Sequence, residues 1–348
     1  MPTSSFDTFF ACTIIVAAAL IATGYLCSTM QVRIDNTQNI NEQNYLQAIA
    51  NHIVTDPGTP SNWGASGSNP TDFGLAASSS TLPYELDIDK VSRLDSLNNY
   101  YLSYFDMENS TSMNSLALGV AVSQFMDINI IQPTNVTTDN GILFTLGIST
   151  SIESQPVSAS LNCYVVAENL VRDVTSSTSN VGIGQVTVQI PNMTSDNAIV
   201  IVFARANFDD RITSYAIYNL ANSTQEISPI SDVLTLSPLN YTLNLATNSS
   251  GVTIQNCYLF SYDHQENLEY ISGTQQCPIP ELVDNSPLIM AVDGVENGTY
   301  FQQWVSYPQV PFYTGSDFSG SGQNVFSYDV TINGVLYRLE ISLGRPAS

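Results

Sequence analysis

Residues 9 to 27 read FFACTIIVAAALIATGYLC, and no Asp, Glu, Lys or Arg occurs from Thr8 to Met30. An uncharged run of roughly the 20 residues that cross a bilayer as a helix cannot be left in water, so any fold open to this chain must give it an apolar partner. A cleaved secretory signal would need a basic leading region, a shorter apolar core and a small-x-small cleavage site. The preceding MPTSSFD has no Lys or Arg and carries Asp7, and Leu26 before Cys27 does not suit a lipoprotein site. A plain anchor fits the length, but Arg33 is the only basic residue near either end and sets no orientation.

After Arg33 a polar stretch, IDNTQNINEQN, leads into NYLQAIANHIV, where Leu46, Ile49, Ala50 and Ile53 recur at helical spacing. No Pro or Gly interrupts residues 25 to 56, and Asp56-Pro57-Gly58 then stops the pattern. The expectation is one helix from about Ser5 to Thr55, apolar in its first half and amphipathic in its second, far longer than the mean helix of globular domains.

Residues 57–80, rich in Pro, Gly and Ser, read as an extended connection held by Trp63 and Phe73. In LDIDKVSRLDSLNNYYL a short helix is expected, N-capped by Asp87 or Asp89, with Val91, Leu94 and Leu97 at three-residue intervals and with Lys90 and Arg93 on a solvated face, pairing with acidic neighbours being the alternative. From Gln124 the pattern becomes strand-like, with runs such as ILFTLGIST, GQVTVQIP and AIVIVFARA separated by turns. The fold class expected is α+β: a long N-terminal helix (1–56), a linker with a small helical module (57–123), and a mainly-β head. The head comprises an immunoglobulin-like antiparallel sandwich (124–230) and a second β unit (231–348). The clearest local signal is Asn333-Gly334 between VFSYDVTI and VLYRLEISL. A type I′ turn there pairs Ile332 with Val335, Val330 with Tyr337, Tyr328 with Leu339 and Phe326 with Ile341, all on one face, and sets Asp329 opposite Arg338 on the other.

The balance of 31 Asp plus Glu against 8 Lys plus Arg, a net charge of −23, excludes nucleic-acid binding, because almost nothing is present to neutralise phosphates. A surface of Ser, Thr, Asn and Gln suits the outside of a cell. Seven N-x-S/T sequons at Asn109, Asn135, Asn192, Asn222, Asn240, Asn248 and Asn297 agree, and make N-linked glycans the expected modification. Of five cysteines, Cys12 and Cys27 fall in the apolar run as small hydrophobes. Among Cys163, Cys257 and Cys277 one bridge can form; Cys257 to Cys277 is expected because it closes a short polar loop, with three buried free thiols as the alternative.

Only His52 and His264 are present, with no zinc-type cysteine spacing, HExxH, GxSxG or phosphate-binding glycine loop, so no catalytic residue and no cofactor is assigned. Asp209-Asp210 resembles a glycosidase pair no more than chance allows among so many acids. Calcium is the one metal with candidate oxygen clusters, at DGVENG (293–298) and at the Asp209-Asp210 turn, which ordinary turn chemistry explains equally well.

The apolar half-helix behind a single acidic residue, its amphipathic continuation and the β-rich remainder resemble the type IV pilin superfamily, and more closely the archaeal pilin-like surface proteins. The stretches that carry the resemblance are SSFDTFF, IVTDPGTPSNWG, FGLA followed by YELDIDKVSRLDS, and NGVLYRLEISL; the middle 200 or so residues match only in β character. Pilin precursors carry a short basic leader, which the first residues here do not match. The resemblance implies a structural subunit of an extracellular filament, membrane-inserted before assembly, whose partners are identical subunits in a helical homopolymer. Asp7 would then pair with a neighbour's terminal amine, and Phe9, Phe10, Ile14, Ile15, Leu20 and Ile21 would form the polymerisation surface. The rivals are a monomeric membrane-anchored surface protein that binds a glycan or partner, and a minor pseudopilin of a secretion system.

Overall fold

The computed structural model describes residues 3–80, 82–111, 116–138, 141–168, 170–191, 197–221, 233–281, 284–316 and 318–346; for 3–8, 32, 34–39, 132–133, 197, 221, 319–322 and 346 it describes the backbone alone. Helix α1 runs unbroken over Thr3–Thr55, 53 residues. It ends where expected: Asp56 donates its amide to the His52 carbonyl, Asp56 Oδ1 accepts the Gly58 amide, and Gly58 takes φ +74°. The chain forms two compact units, Met1–Asn51 and His52–Ser348.

Within the second unit, α2 (Trp63–Ser66), α3 (Ile88–Ser92) and α4 (Tyr104–Ser110) are short. Asp87 caps α3, its Oδ1 accepting the amides of Asp89 and Lys90 at 3.0 and 3.1 Å. Val91 and Leu94 are fully buried, but α3 ends before Leu97, which is exposed. The solvated face expected for Lys90 and Arg93 is not there: both are buried, at 0% and 1% exposure. Lys90 Nζ donates to the carbonyls of Pro57 and Ala76, each at 2.8 Å. The Arg93 guanidinium donates to the carbonyls of Tyr100, Trp63, Ser68 and Gly67, and both cations lie over the Trp63 ring. A Pro/Gly/Ser segment without sheet or long helix leaves many carbonyls unpaired, and these two side chains satisfy five of them, with that of Tyr100 as a sixth acceptor from beyond the segment.

The strands in chain order are β1 (Ala117–Gln124), β2 (Asp127–Thr138), β3 (Gly141–Ile152), β4 (Gln155–Pro156), β5 (Ala159–Ala167), β6 (Leu170–Ser177), β7 (Ile183–Ile190), β8 (Asn197–Ala206) and β9 (Thr213–Ala221). They continue with β10 (Leu234–Leu239), β11 (Thr242–Thr247), β12 (Val252–Phe260), β13 (Gln265–Leu268), β14 (Gln276–Pro278), β15 (Leu288–Glu296), β16 (Thr299–Tyr307), β17 (Phe312–Gly315), β18 (Phe318–Ile332) and β19 (Val335–Pro346).

One sheet orders β2-β3-β4 with β7 also on β3; a second orders β6-β5-β8-β9. They pack face to face through Leu146, Ile148, Val186 and Val188 against Leu161, Cys163, Val165, Val200 and Val202. The alternate residues of β5 and β8, Tyr164, Val166, Ile199, Ile201 and Phe203, point the other way and meet Tyr258, Phe260, Ile289 and Ala291 of a third sheet, β13-β12-β15-β16. The β5/β8 sheet is therefore a middle layer covered on both faces, which is why AIVIVF is a continuous apolar run rather than an alternation.

Segments 57–123, 124–230 and 231–348 share this compact unit. Strand β1, which falls in the stretch expected to be linker and helical module, pairs with β19 and β17 in the sheet β17-β1-β19-β18. Asp89 of α3 accepts hydrogen bonds from the Tyr307 hydroxyl and the Asn240 amide, both at 2.7 Å. The terminal hairpin has the expected register at every named pair, with Asn333 and Gly334 at φ +48° and +79° as a type I′ turn demands. Asp329 stands opposite Arg338, but Arg338 reaches the Glu153 carboxylate at 2.6 Å instead and lies over the Phe125 ring. Glu153 lies in the exposed turn between β3 and β4, its side chain 66% exposed, so this pair is a surface contact of small energy.

Candidate functional site

The first unit is one helical surface. Phe9–Gln31 is a 23-residue span long and apolar enough to cross a membrane, with none of it buried. Phe9, Phe10, Ile14, Ile15, Leu20 and Ile21 are 65% to 74% exposed, and Val16, Tyr25, Leu26 and Met30 lie between 57% and 72%. Asp7 is in the helix, but its side chain falls outside the described residues.

Stepping roughly 100° per residue places Ile15 and Leu26 in one sector, Val16, Phe9 and Leu20 in a second, and Phe10, Ile21, Ile14 and Tyr25 in a third. The apolar surface thus goes round the whole helix. A two-stranded seam would cover one stripe only, so the helix calls for an environment on all sides, either lipid or several neighbouring helices. The polar atoms of the span are already provided for: Thr13 Oγ1 donates to the Phe9 carbonyl at 2.6 Å, Thr23 to Ala19 at 2.5 Å, and Ser28 and Thr29 to Tyr25 at 3.0 and 2.7 Å. None of these hydroxyls demands water when the helix enters an apolar medium. Removing the remaining surface of ten large side chains from water is worth about 1–2 kcal/mol each, or roughly 10–20 kcal/mol per helix.

Asn109, Asn135, Asn240, Asn248 and Asn297 are all exposed, as glycan attachment requires; Asn192 and Asn222 lie outside the described residues. Cys257 of β12 and Cys277 of β14 are buried next to each other with their sulfurs 2.8 Å apart, but as free thiols, so the expected bridge is not formed in this structure. Mutual contact and burial together raise the Cys257 thiol pKa. Cys163 is separate, in the first core, its thiol pushed up to about 12 by burial and thereby inert. Cys12 and Cys27 are exposed on α1.

The two oxygen clusters considered for calcium are engaged by the protein itself. Asp293 is buried in β15, where it accepts the Asn256 amide at 2.9 Å, and burial raises its carboxyl pKa. The Arg211 side chain grips Asp209 through Nε at 3.1 Å and Nη2 at 2.8 Å and holds its carboxyl below the usual range. The group that does assemble is one the spacing hid: His52 and Asp56, one turn apart at the end of α1, meet Asp72 from the connection. His52 Nε2 stands 3.3 Å from Asp72 Oδ1, and the three ligand atoms lie within 4.8 Å of one another. That set suits a divalent cation. The signal was the i, i+4 pair; Asp72 arrives only through the Thr59–Asp72 bridge.

A cavity of about 540 Å3 opens in the second unit where β9, β10 and β16, each the edge of its own sheet, converge; Trp304, Tyr215 and Asp95 are among its lining residues.

No protein-family model matches the chain, and no curated protein sequence does. Among solved structures, HBP35 of Porphyromonas gingivalis is similar over 54% of this chain at 11% identity and a TM-score of 0.21. The alignment spans 64% of that chain's length.

Proposed function

We propose that this chain is a structural subunit of an extracellular filament of the archaeal pilin-like kind. In this reading the helices Thr3–Thr55 bundle as the core through Phe9–Gln31, and the immunoglobulin-like β units carry N-linked glycans on the outside. The observation that carries the reading is the helix exposed around its whole circumference over a span without charge. Lipid would serve the precursor and identical neighbours the filament, because both surround the helix. A heterologous contact, in which one helix face meets a different face of the next copy, extends without closing. Asp7 would need a cationic partner within that bundle, since an unpaired carboxylate among apolar helices is costly. The role is structural rather than catalytic.

The test is electron microscopy and mass spectrometry of material sheared from cells that produce the chain. Filaments composed of it support the proposal. Recovery of the chain solely as a detergent-extracted membrane monomer refutes it and favours an anchored surface protein.

A further inference from the structure

The cavity at the meeting of the three sheet edges asks for an occupant. Open strand edges normally invite another strand, but here two glutamine side chains have taken that place. The Tyr215 amide of β9 donates to Gln124 Oε1 at 2.6 Å, and Gln303 Nε2 donates to the Leu234 carbonyl of β10 at 3.0 Å. The Tyr215 hydroxyl is committed to the Val310 carbonyl. At these points the backbone of the walls is bonded within the protein, and an incoming polypeptide strand would have to displace those bonds.

What remains open is apolar wall and one charge. Leu236, Ile217 and Val310 give the cavity its greasy surface, and Trp304 lines it while only partly buried, one side packed on the core between the second and third sheets. Asp95 is half-buried at the same cavity; its Oδ1 accepts the Leu97 amide at 3.0 Å. Among the described residues no Lys, Arg or His stands within ion-pair distance of it. Burial accordingly holds its carboxyl above the usual range. A volume of about 540 Å3 is that of a small-molecule site.

A carboxylate without a counter-cation beside an aromatic face and aliphatic walls is the complement of an organic cation. The ammonium would compensate the charge and lie near the indole, and the hydrocarbon would fill the rest. A chain of net charge −23 concentrates cations at its surface and repels acids. We propose that this cavity binds a small organic ammonium ion with an apolar body, with Asp95 as its counter-ion and Trp304 as its aromatic wall. The proposal does not depend on polymerisation, since all of its residues belong to the second unit.

The chain has two tryptophans; Trp63 is fully buried with its Nε1 on the Gly74 carbonyl, so ligand-dependent fluorescence reports Trp304. The full-length chain in non-ionic detergent is titrated at pH 7 with 2-phenylethylammonium, its neutral analogue 2-phenylethanol and the anion 3-phenylpropanoate. Saturable binding of the ammonium at least tenfold tighter than the alcohol, with none of the anion, is expected. Asp95→Asn should reduce the ammonium to the affinity of the alcohol. Leu97→Lys, at an exposed rim position that tolerates the change, should block the ammonium through an internal competitor while the thermal midpoint stays unchanged. Equal affinity for ammonium and alcohol, no response to either variant, or no saturation by the ammonium overturns the proposal. Binding of a neutral disaccharide such as cellobiose while the ammonium is silent does so too.

Discussion

Replacing Lys90 by methionine isolates what a single buried cation does for the segment that follows the long helix. Methionine keeps an unbranched stem of nearly the same length against Gly64 and Trp63, with sulfur in place of Cδ, and removes the ammonium. Two charge-assisted hydrogen bonds, to the Pro57 and Ala76 carbonyls, are lost together, and both acceptors are left without that donor. Hydrogen bonds of this kind contribute about 1.5–3 kcal/mol each. The relief from burying an ammonium, whose pKa the burial lowers, offsets part of that loss. The net expectation is about 3 kcal/mol, which for a unit of this size lowers Tm by roughly 5 °C. Thermal unfolding of the full chain in detergent, followed by circular dichroism, measures it. Arg211→Met is the control, because its pair with Asp209 is at the surface and screened by water, so Tm should hardly move. Equal Tm changes for the two variants would show that the carbonyl bonds of Lys90 are not what holds residues 57–80, and the reasoning would fail.

Leu20→Asp places a charge in the middle of the apolar span, a change worth about 2.5–3.5 kcal/mol per helix; the subunit concentration needed for filaments should rise roughly 70- to 400-fold, while Phe105→Asp, at an exposed site on the second unit, leaves it unchanged. Pelleting assays across a concentration series decide between them. Oxidation of Cys257 and Cys277 to a disulfide would lower the intact mass by two hydrogens and leave three titratable thiols; the 20-residue separation makes the link worth about 3 kcal/mol, so Cys277→Ser, which also buries a hydroxyl in either redox state, should lower Tm more under non-reducing than under reducing conditions. Asp89→Asn keeps an oxygen to accept from Tyr307 and Asn240 but removes a carboxyl whose pKa burial raises. The native state then holds a proton that the unfolded chain releases between the ordinary and the raised pKa, so the unmodified protein loses stability as pH rises through that window. The variant's Tm advantage should be largest at neutral pH and vanish as pH falls to the ordinary carboxylate range; an advantage that grows on acidification refutes the assignment.

Much of the architecture was legible because it is written in local chemistry. The stop of α1 is carried by Asp56-Pro57-Gly58, the cap of α3 by Asp87, and the terminal hairpin by Asn333-Gly334 with four apolar pairs behind it. Each depends on residues a few positions apart. Strand β1 was hidden because ALGVAVSQ is short and small, and only its pairing with β19, more than 200 residues later, makes it a strand. The partner of Arg338 was misread for the same reason: Asp329 faces it in the register, yet Glu153 comes from the turn between β3 and β4 of a different sheet.

The misreading of Lys90 and Arg93 has a deeper cause. In a chain with 31 acidic residues and 8 basic ones, any cation is expected to find a carboxylate in solvent. These two donate instead to backbone carbonyls, which no pattern of side chains announces. A connection of Pro, Gly and Ser cannot satisfy its own carbonyls by repeating structure, so it needs donors that reach several at once, and guanidinium and ammonium are the side chains that do. The opposite imbalance exists at Asp95, a half-buried carboxylate with no cation within ion-pair distance among the described residues. With so few cations, two of them committed to carbonyls, the charge that would compensate Asp95 has to come from outside the chain.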